Sequence, residues 1–225
     1  MTVDATIDRE AKRALFDGFA RVGKAVSSGR RVEILDVLAN GERTVEGLAE
    51  QLGLSVANAS QHLQVLKQAG LVDTRREGTF VRYRLASSDV FEFLRSLRGL
   101  AADRLAEIER LAGAYLGDLD RAPSITRAEL KRKLKKREGV LVVDVRPAEE
   151  YAAGHLPGAV SAPLEDLAHR IRSFPKDREV VVYCRGPYCA YSHVAVELLR
   201  KRGFQARRLE DGLPEWEAEA FPVER

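Results

Sequence analysis

The 225-residue chain predicts two domains of different class: a mainly α domain, then an α/β domain built on a parallel sheet with helices on both faces. Three observations carry this. Up to residue 117 apolar positions recur at helical spacing, interrupted once by an alternating stretch that marks a hairpin. Beyond residue 124, short Val-rich runs alternate with helical segments, the pattern of βαβ units. Between them Leu116-Gly117-Asp118-Leu119-Asp120-Arg121-Ala122-Pro123 breaks both periodicities, which sets boundaries at 1–117, a linker at 118–124 and 125–225.

Composition narrows the class. Hydrophobic residues are 45% and charged residues 32%, as in ordinary soluble domains. No apolar run approaches the roughly 20 residues that span a bilayer, and MTVDATIDRE has no signal-peptide pattern, so a cytoplasmic protein without a membrane partner is expected. Net charge is +3, but the first half is nearly balanced. Any nucleic-acid binding there must rest on local charge and motif. Both cysteines of the chain fall in one loop, which points to reactivity rather than to a disulfide framework.

Residues 8–28 predict an amphipathic helix, with Ala11, Leu15, Phe16, Phe19 and Val22 or Val26 on one stripe. A second helix runs to Leu38 and stops at Asn40-Gly41. Thr44 precedes a third, Val45–Leu52, closed by Gly53; Ser55 caps a fourth, Val56–Gln68, closed by Gly70. Short helices with tight turns fit a helix-turn-helix, the third supporting and the fourth reading. On the fourth, Ala59, Leu63 and Leu66 share the inner face. Ser55 at its start, with Ala57, Asn58, Ser60, Gln61 and Gln64, presents the small and amide-bearing side chains a major groove accepts, which predicts double-stranded operator DNA as a partner. Residues 72–85 alternate around Glu77-Gly78-Thr79 as a two-stranded wing, whose Arg75, Arg76, Arg82 and Arg84 suit phosphate contact. From Ser88 to Leu116 one long helix is expected. Its stripe of Phe91, Leu94, Leu97, Ala101, Leu105, Ile108, Leu111, Ala112 and Tyr115 exceeds what a small domain buries alone. With the first helix it predicts a homodimer surface, core packing within one chain being the other reading.

The run Ser60-x-His62-Leu63-x-x-Leu66-x-x-Ala69-Gly70-Leu71-Val72, followed by a basic wing ending Tyr83-Arg84-Leu85, resembles the winged-helix repressors of the ArsR type over residues 10–115. The resemblance implies a homodimer that leaves its operator when an inducer binds. Many members sense metals through cysteines on the supporting helix or through acidic and His ligands on the last helix. Here Val45–Leu52 has no cysteine and the last helix no histidine, so no metal and no cofactor is expected, and His62 is read as a packing or phosphate-contacting residue.

In the second domain Thr126 with Glu129 forms a capping box for a helix carrying Lys131-Arg132-Lys133 and Lys135-Lys136-Arg137, read as a solvated basic face because Leu130 and Leu134 point inward. Strands at 140–145, 180–183 and 206–209 alternate with helices near Glu149, at 164–171 and at Ala190–Lys201. The central strand runs into Cys184-Arg185-Gly186-Pro187-Tyr188-Cys189, at the carboxyl edge where α/β folds hold their sites. Backbone amides of Arg185, Gly186, Tyr188, Cys189 and Ala190, with the amino end of the next helix, would cradle an anion and lower the Cys184 thiol pKa. Asp144 and Arg146, at a strand end, either touch substrate or brace a loop; the brace is favoured.

Leu141-Val142-Val143-Asp144-Val145-Arg146-Pro147, Glu149-Glu150-Tyr151, Gly154-His155-Leu156-Pro157-Gly158-Ala159, the Cys184 loop, Gly212 with Trp216, and Phe221-Pro222-Val223 resemble in their order the rhodanese (sulfurtransferase) domains. The resemblance implies that Cys184 takes sulfane sulfur from a small donor, carries it as a persulfide and passes it to a thiol acceptor. Pro187 lacks an amide donor, and Arg185 is the one cationic side chain of the loop that could meet thiosulfate. Cys189 is read as a resolving thiol or as a loop filler. Six residues after Cys184, where cysteine phosphatases and arsenate reductases need an arginine, the chain has Ala190, which disfavours that chemistry. The expected function is a regulator whose second domain carries or senses reactive sulfur at Cys184. A sulfurtransferase with an accessory winged domain is the alternative.

Overall fold

The structure, a computed structural model, describes residues 8–117, 119, 122–136 and 138–225. Asp118, Asp120 and Arg121 of the expected linker and Arg137 of the basic run lie outside the described residues. Two compact units divide the chain, Met1–Arg95 and Ser96–Arg225.

The first unit holds helices α1 (Arg9–Ala25) and α2 (Gly29–Leu38), strand β1 (Arg43–Thr44), helices α3 (Val45–Leu52) and α4 (Val56–Gln68), and strands β2 (Val72–Glu77) and β3 (Phe80–Leu85). Helix α5 (Ser88–Arg104) begins there, and its residues from Ser96 onward belong to the second unit. Local chemistry sets the helix ends. Asp8 accepts hydrogen bonds from the Glu10 and Ala11 amides, Thr44 from Gly47 and Ser55 from Asn58. Gly53 and Gly70 end α3 and α4 at φ 61° and 72°, where a Cβ would be strained. Ile34, Leu35, Leu48, Leu63, Leu66 and Leu94 form the fully buried centre of the unit. The antiparallel order β1-β3-β2 lays the wing beside this core.

The second unit continues with α6 (Glu107–Leu116), β4 (Ser124–Ile125), α7 (Arg127–Lys136), β5 (Val140–Asp144), α8 (Ala148–Ala153), β6 (Val160–Ser161) and α9 (Leu167–Arg170), which passes into a 3₁₀ turn at Ile171–Ser173. Then come β7 (Glu179–Cys184), α10 (Ala190–Lys201), β8 (Ala206–Gly212) and α11 (Leu213–Ala218). The sheet is parallel throughout, in the order β4-β8-β7-β5-β6. Alternation along β7 feeds two cores. Val180, Val182 and Cys184 pack with Ala195, Val196 and Leu199 of α10, while Val181 and Tyr183 pack with Leu130 of α7 and Trp216 of α11.

The fold class is the one the sequence predicts, with local differences. The single helix expected over residues 88–116 is two, α5 and α6, separated at Leu105 and Ala106. There the Ile108 amide bonds back to the Leu105 carbonyl, an i to i+3 bond that interrupts the α ladder without Pro or Gly. Strands β4 and β6 and helix α11 are additional; two-residue strands carry no readable periodicity.

Candidate functional site

The loop between β7 and α10 is the first candidate site. Cys184 ends β7 and Cys189 is the N-cap of α10; their Cα atoms are 6.3 Å apart and the two sulfurs are joined as a disulfide. That separation lies within the about 4.4–6.8 Å typical of bridged cysteines. Cys184 is only 1% exposed. Cys184 does end β7 at the carboxyl edge, but the expectation that an edge position keeps it out of a core is corrected: the residue falls on the inward phase of the strand and packs into the α10 core.

The loop spends part of its expected anion cradle internally. The Cys189 amide donates to the Gly186 carbonyl at 3.1 Å, and Pro187 has no amide to give. The Cys189 carbonyl in turn accepts from Ser192 Oγ at 3.1 Å and lies 3.1 Å from His193 Nδ1, fixing the start of α10. Tyr188 and Tyr191 are half exposed beside the loop, and Ala190 is the first residue of α10.

Arg185 also departs from its expected place. Its guanidinium lies on Glu150 of α8, with Nη2 to Oε1 at 2.7 Å and Nε to the two carboxylate oxygens at 3.0 and 3.2 Å. Glu150 is buried, so its charge demands a partner, and Arg185 supplies one. Arg146 Nη1 stands 3.9 Å from the same carboxylate. Arg146 and Asp144 are both fully buried and meet in a bidentate pair, at 2.7 Å from Nη2 to Oδ2 and 3.1 Å from Nε, while Nη2 also donates to the Gly154 carbonyl at 2.7 Å. Tyr183 donates its hydroxyl to Asp144 and accepts the Leu156 amide at 3.1 Å; burial, then the Asp144 charge, push its pKa up. Asp144 and Arg146 thus sit inside a brace linking β5, β7 and the turn before β6.

A second carboxylate backs the loop. Glu215 is buried, accepts the Gly212 amide at 3.0 Å and pairs with Arg98 at 2.8 Å. Burial raises its pKa against the opposing pull of Arg98 and of the Gly212 amide. A Cβ on Gly186 would stand 3.8 Å from both Glu215 oxygens. Sequence reading missed Glu150 and Glu215 as loop partners, although Glu150 stands in the stretch that carries the rhodanese resemblance.

The second candidate site is α4 with the wing. Ala59, Leu63 and Leu66 are fully buried, leaving Ser55, Ala57, Asn58, Gln61 and Gln64 exposed and Ser60 partly so. On the wing Arg75 and Arg82 stand directly opposite across β2 and β3, an arrangement that repels unless compensated. Carboxylates compensate it. Arg75 pairs with Glu42 at 2.8 Å and Arg82 pairs with Glu77, which holds the Glu77 pKa down and the Arg75 pKa up. Arg76 and Arg84 are exposed and make no ion pair among the described residues. The four arginines are therefore two pairs of different availability.

Among the described residues no group of three or more His, Cys, Asp or Glu is placed to hold a metal ion, and no helix is long and apolar enough to cross a membrane.

A helix-turn-helix with a basic wing, joined to a parallel-sheet domain with a cysteine loop at its carboxyl edge, defines a winged-helix DNA-binding protein with a rhodanese-like domain. Family models agree: bacterial regulatory proteins of the arsR family match residues 28–74, and the rhodanese-like domain matches residues 126–219. The HTH-type transcriptional regulator Rv0324 of Mycobacterium tuberculosis is 46% identical over 215 residues, covering 96% of this chain and 94% of that one. The chain belongs to the arsR family of bacterial regulatory proteins, as a DNA-binding regulator fused to a rhodanese-like domain. A sulfurtransferase of Allochromatium vinosum is 35% identical over 42% of this chain and 87% of its own. A homodimeric winged helix-turn-helix DNA-binding domain from Mycobacterium bovis is 47% identical, covering 47% of this chain and 94% of that one, with a TM-score of 0.42.

Proposed function

We propose that the protein is a cytoplasmic, homodimeric operator-binding regulator whose rhodanese-like domain reports reactive sulfur through Cys184. Residues 1–117 bind DNA and dimerise, residues 118–124 link, and residues 125–225 carry the sulfur chemistry. The observation that carries this reading is the pairing of Cys184 with Cys189 across one loop, at a Cα separation of 6.3 Å.

The chemistry balances with a persulfide donor. The Cys184 thiolate attacks the outer sulfur of R–S–SH, forming Cys184–S–SH and releasing R–S⁻. The Cys189 thiolate then attacks Cys184 Sγ, forming the disulfide and expelling HS⁻. The sulfane sulfur is reduced to sulfide and two thiols are oxidised. In this reading the dithiol form releases the buried Cys184 sulfur from Cys189, and the two loop states are what operator binding discriminates.

Dimerisation is supported by apolar side chains left at the surface: Leu15, Phe16 and Phe19 on α1, and Leu100, Leu105, Leu111 and Tyr115 on α5, α6 and the turn between them. DNA contact is assigned to Ser55, Ala57, Asn58, Ser60, Gln61 and Gln64, with Arg76 and Arg84 reaching phosphate first and Arg75 and Arg82 after release from their carboxylates. The similarity to a sulfurtransferase favours a second reading, an enzyme that turns over sulfur with a thiol acceptor while the winged domain serves assembly.

Operator affinity at fixed salt, measured on a promoter fragment adjoining the gene, separates the two. A shift after polysulfide treatment in the wild type but not in Cys184→Ser supports the regulator. Equal binding in both states alongside steady sulfur transfer supports the enzyme.

A further inference from the structure

Resting on the reading of Cys184 as a sulfur acceptor, we infer that the Glu150–Arg185 pair sets the donor class: the site takes sulfur from persulfides and rejects the dianion thiosulfate. Attack of a thiolate on thiosulfate brings together one negative charge and two, transfers the outer sulfur to Cys184 and expels sulfite with both charges. Attack on R–S–SH carries a single negative charge from the Cys184 thiolate to the departing R–S⁻. Only the first reaction demands a cation or a full set of amides at the loop.

That demand is not met here. The loop's own guanidinium, Arg185, is bound through Nε and Nη2 to Glu150, and its side chain is mostly covered. The next guanidinium, Arg98, would be 3.9 Å from a Cβ on Gly186 but pairs with Glu215 at 2.8 Å. Among the described residues both of these guanidiniums therefore have a carboxylate, and both carboxylates are buried. The Cys189 amide serves the Gly186 carbonyl, and Pro187 contributes none. What remains for an anion is the rest of the cradle's amides and the amino end of the 12-residue helix α10, a half charge suited to one thiolate, with no guanidinium released from its carboxylate. Swinging Arg185 toward a donor would break its two-nitrogen contact with a carboxylate that is buried in the interior.

The test uses the full-length protein with Cys189→Ser, which traps the Cys184 persulfide, and follows the 32-Da gain by intact mass spectrometry. Glutathione persulfide and thiosulfate are supplied separately at equal concentration. The expected second-order rate is at least about 100-fold higher for glutathione persulfide, the size of one missing charge-stabilising contact. Adding Glu150→Gln frees the Arg185 charge and should raise the thiosulfate rate about tenfold and narrow the ratio between the two donors. Thiosulfate rates within about threefold of the persulfide rate, or a folded Glu150→Gln protein with unchanged thiosulfate rate, overturn the donor assignment.

Should Glu150→Gln fail to fold, the donor ratio with Glu150 intact still decides, together with its salt dependence. A thiosulfate rate that climbs steeply as salt is lowered would reveal a working cation and also overturn it. If neither donor labels Cys184, the sulfur-acceptor reading beneath the inference falls as well.

Discussion

Gly212 stands against the peptide that follows Arg185: a Cβ on Gly212 would lie 2.3 Å from the Arg185 carbonyl carbon and oxygen and 2.6 Å from the Gly186 nitrogen. Cys184 and Gly212 are register partners across β7 and β8, so β8 is pressed onto the loop's first peptide. Backbone atoms cannot yield as a flexible side chain does. Gly212→Ala should therefore shift the loop, destabilise the second unit by about 1–3 kcal/mol and slow closure of the Cys184–Cys189 disulfide. Thermal unfolding and thiol-trapping kinetics check this, and wild-type values in both would show that the loop is not held from behind.

The wing predicts unequal arginines. Arg76→Ala and Arg84→Ala should each weaken operator binding across all sequences and reduce the salt slope by about 1. Arg75→Ala should cost less, because its charge is already matched by Glu42. Glu77→Gln should increase non-specific affinity by releasing Arg82. Anisotropy titrations over a range of salt read these slopes. Equal losses at Arg75 and Arg84 would mean that DNA strips the carboxylates at little cost.

Base reading is a separate matter from phosphate contact. Gln61→Ala and Asn58→Ala should relax preference at particular base pairs by about 1–3 kcal/mol each while preserving the salt slope. A uniform loss over operator and random DNA would place these side chains on the backbone instead.

Phe16 and Phe19 of α1 are 58% and 61% exposed and meet edge to face, with ring centroids 5.8 Å apart. Phe16→Glu with Phe19→Glu should convert the proposed dimer to monomer in sedimentation equilibrium and abolish tight operator binding while the fold persists. A dimer that survives the double change assigns the interface to another face.

The second unit has a pH signature at Glu215. Burial raises its folded pKa above the ordinary 4.5, so the group contributes most to stability below that pH and its contribution is lost as pH rises through the folded value. Wild-type stability should fall relative to Glu215→Gln as pH is raised from 4.5 toward neutrality. Parallel stability curves for the two proteins over that range would remove Glu215 from the account.

Helix ends and core faces were legible because their chemistry is local. Thr44, Ser55, Gly53 and Gly70 write the ends of α3 and α4 in the sequence, and the 3.6-residue spacing of Ala59, Leu63 and Leu66 writes the buried face. Continuous apolar runs located β5 and β7, and alternation located the wing. What escaped depends on distance in the chain. Glu150 and Arg185 are 35 residues apart, and only the parallel pairing of β5 with β7 makes them neighbours. The compensation of Arg75 by Glu42 has the same origin, a strand-to-strand adjacency that local pattern does not encode. The cysteine loop was legible as a pair of thiols, but its burial was not, since the phase of Cys184 on β7 had to be known first.

In the proposed regulator the Cys184–Cys189 state and operator occupancy are coupled, and coupling is reciprocal. The measurement is the midpoint potential of the cysteine pair in glutathione buffers, with and without saturating operator DNA. If the two loop states differ tenfold in operator affinity per cysteine pair, DNA should displace the midpoint by about 30 mV. A midpoint unmoved by operator would rule out the coupling, because a loop that DNA cannot sense cannot instruct DNA binding.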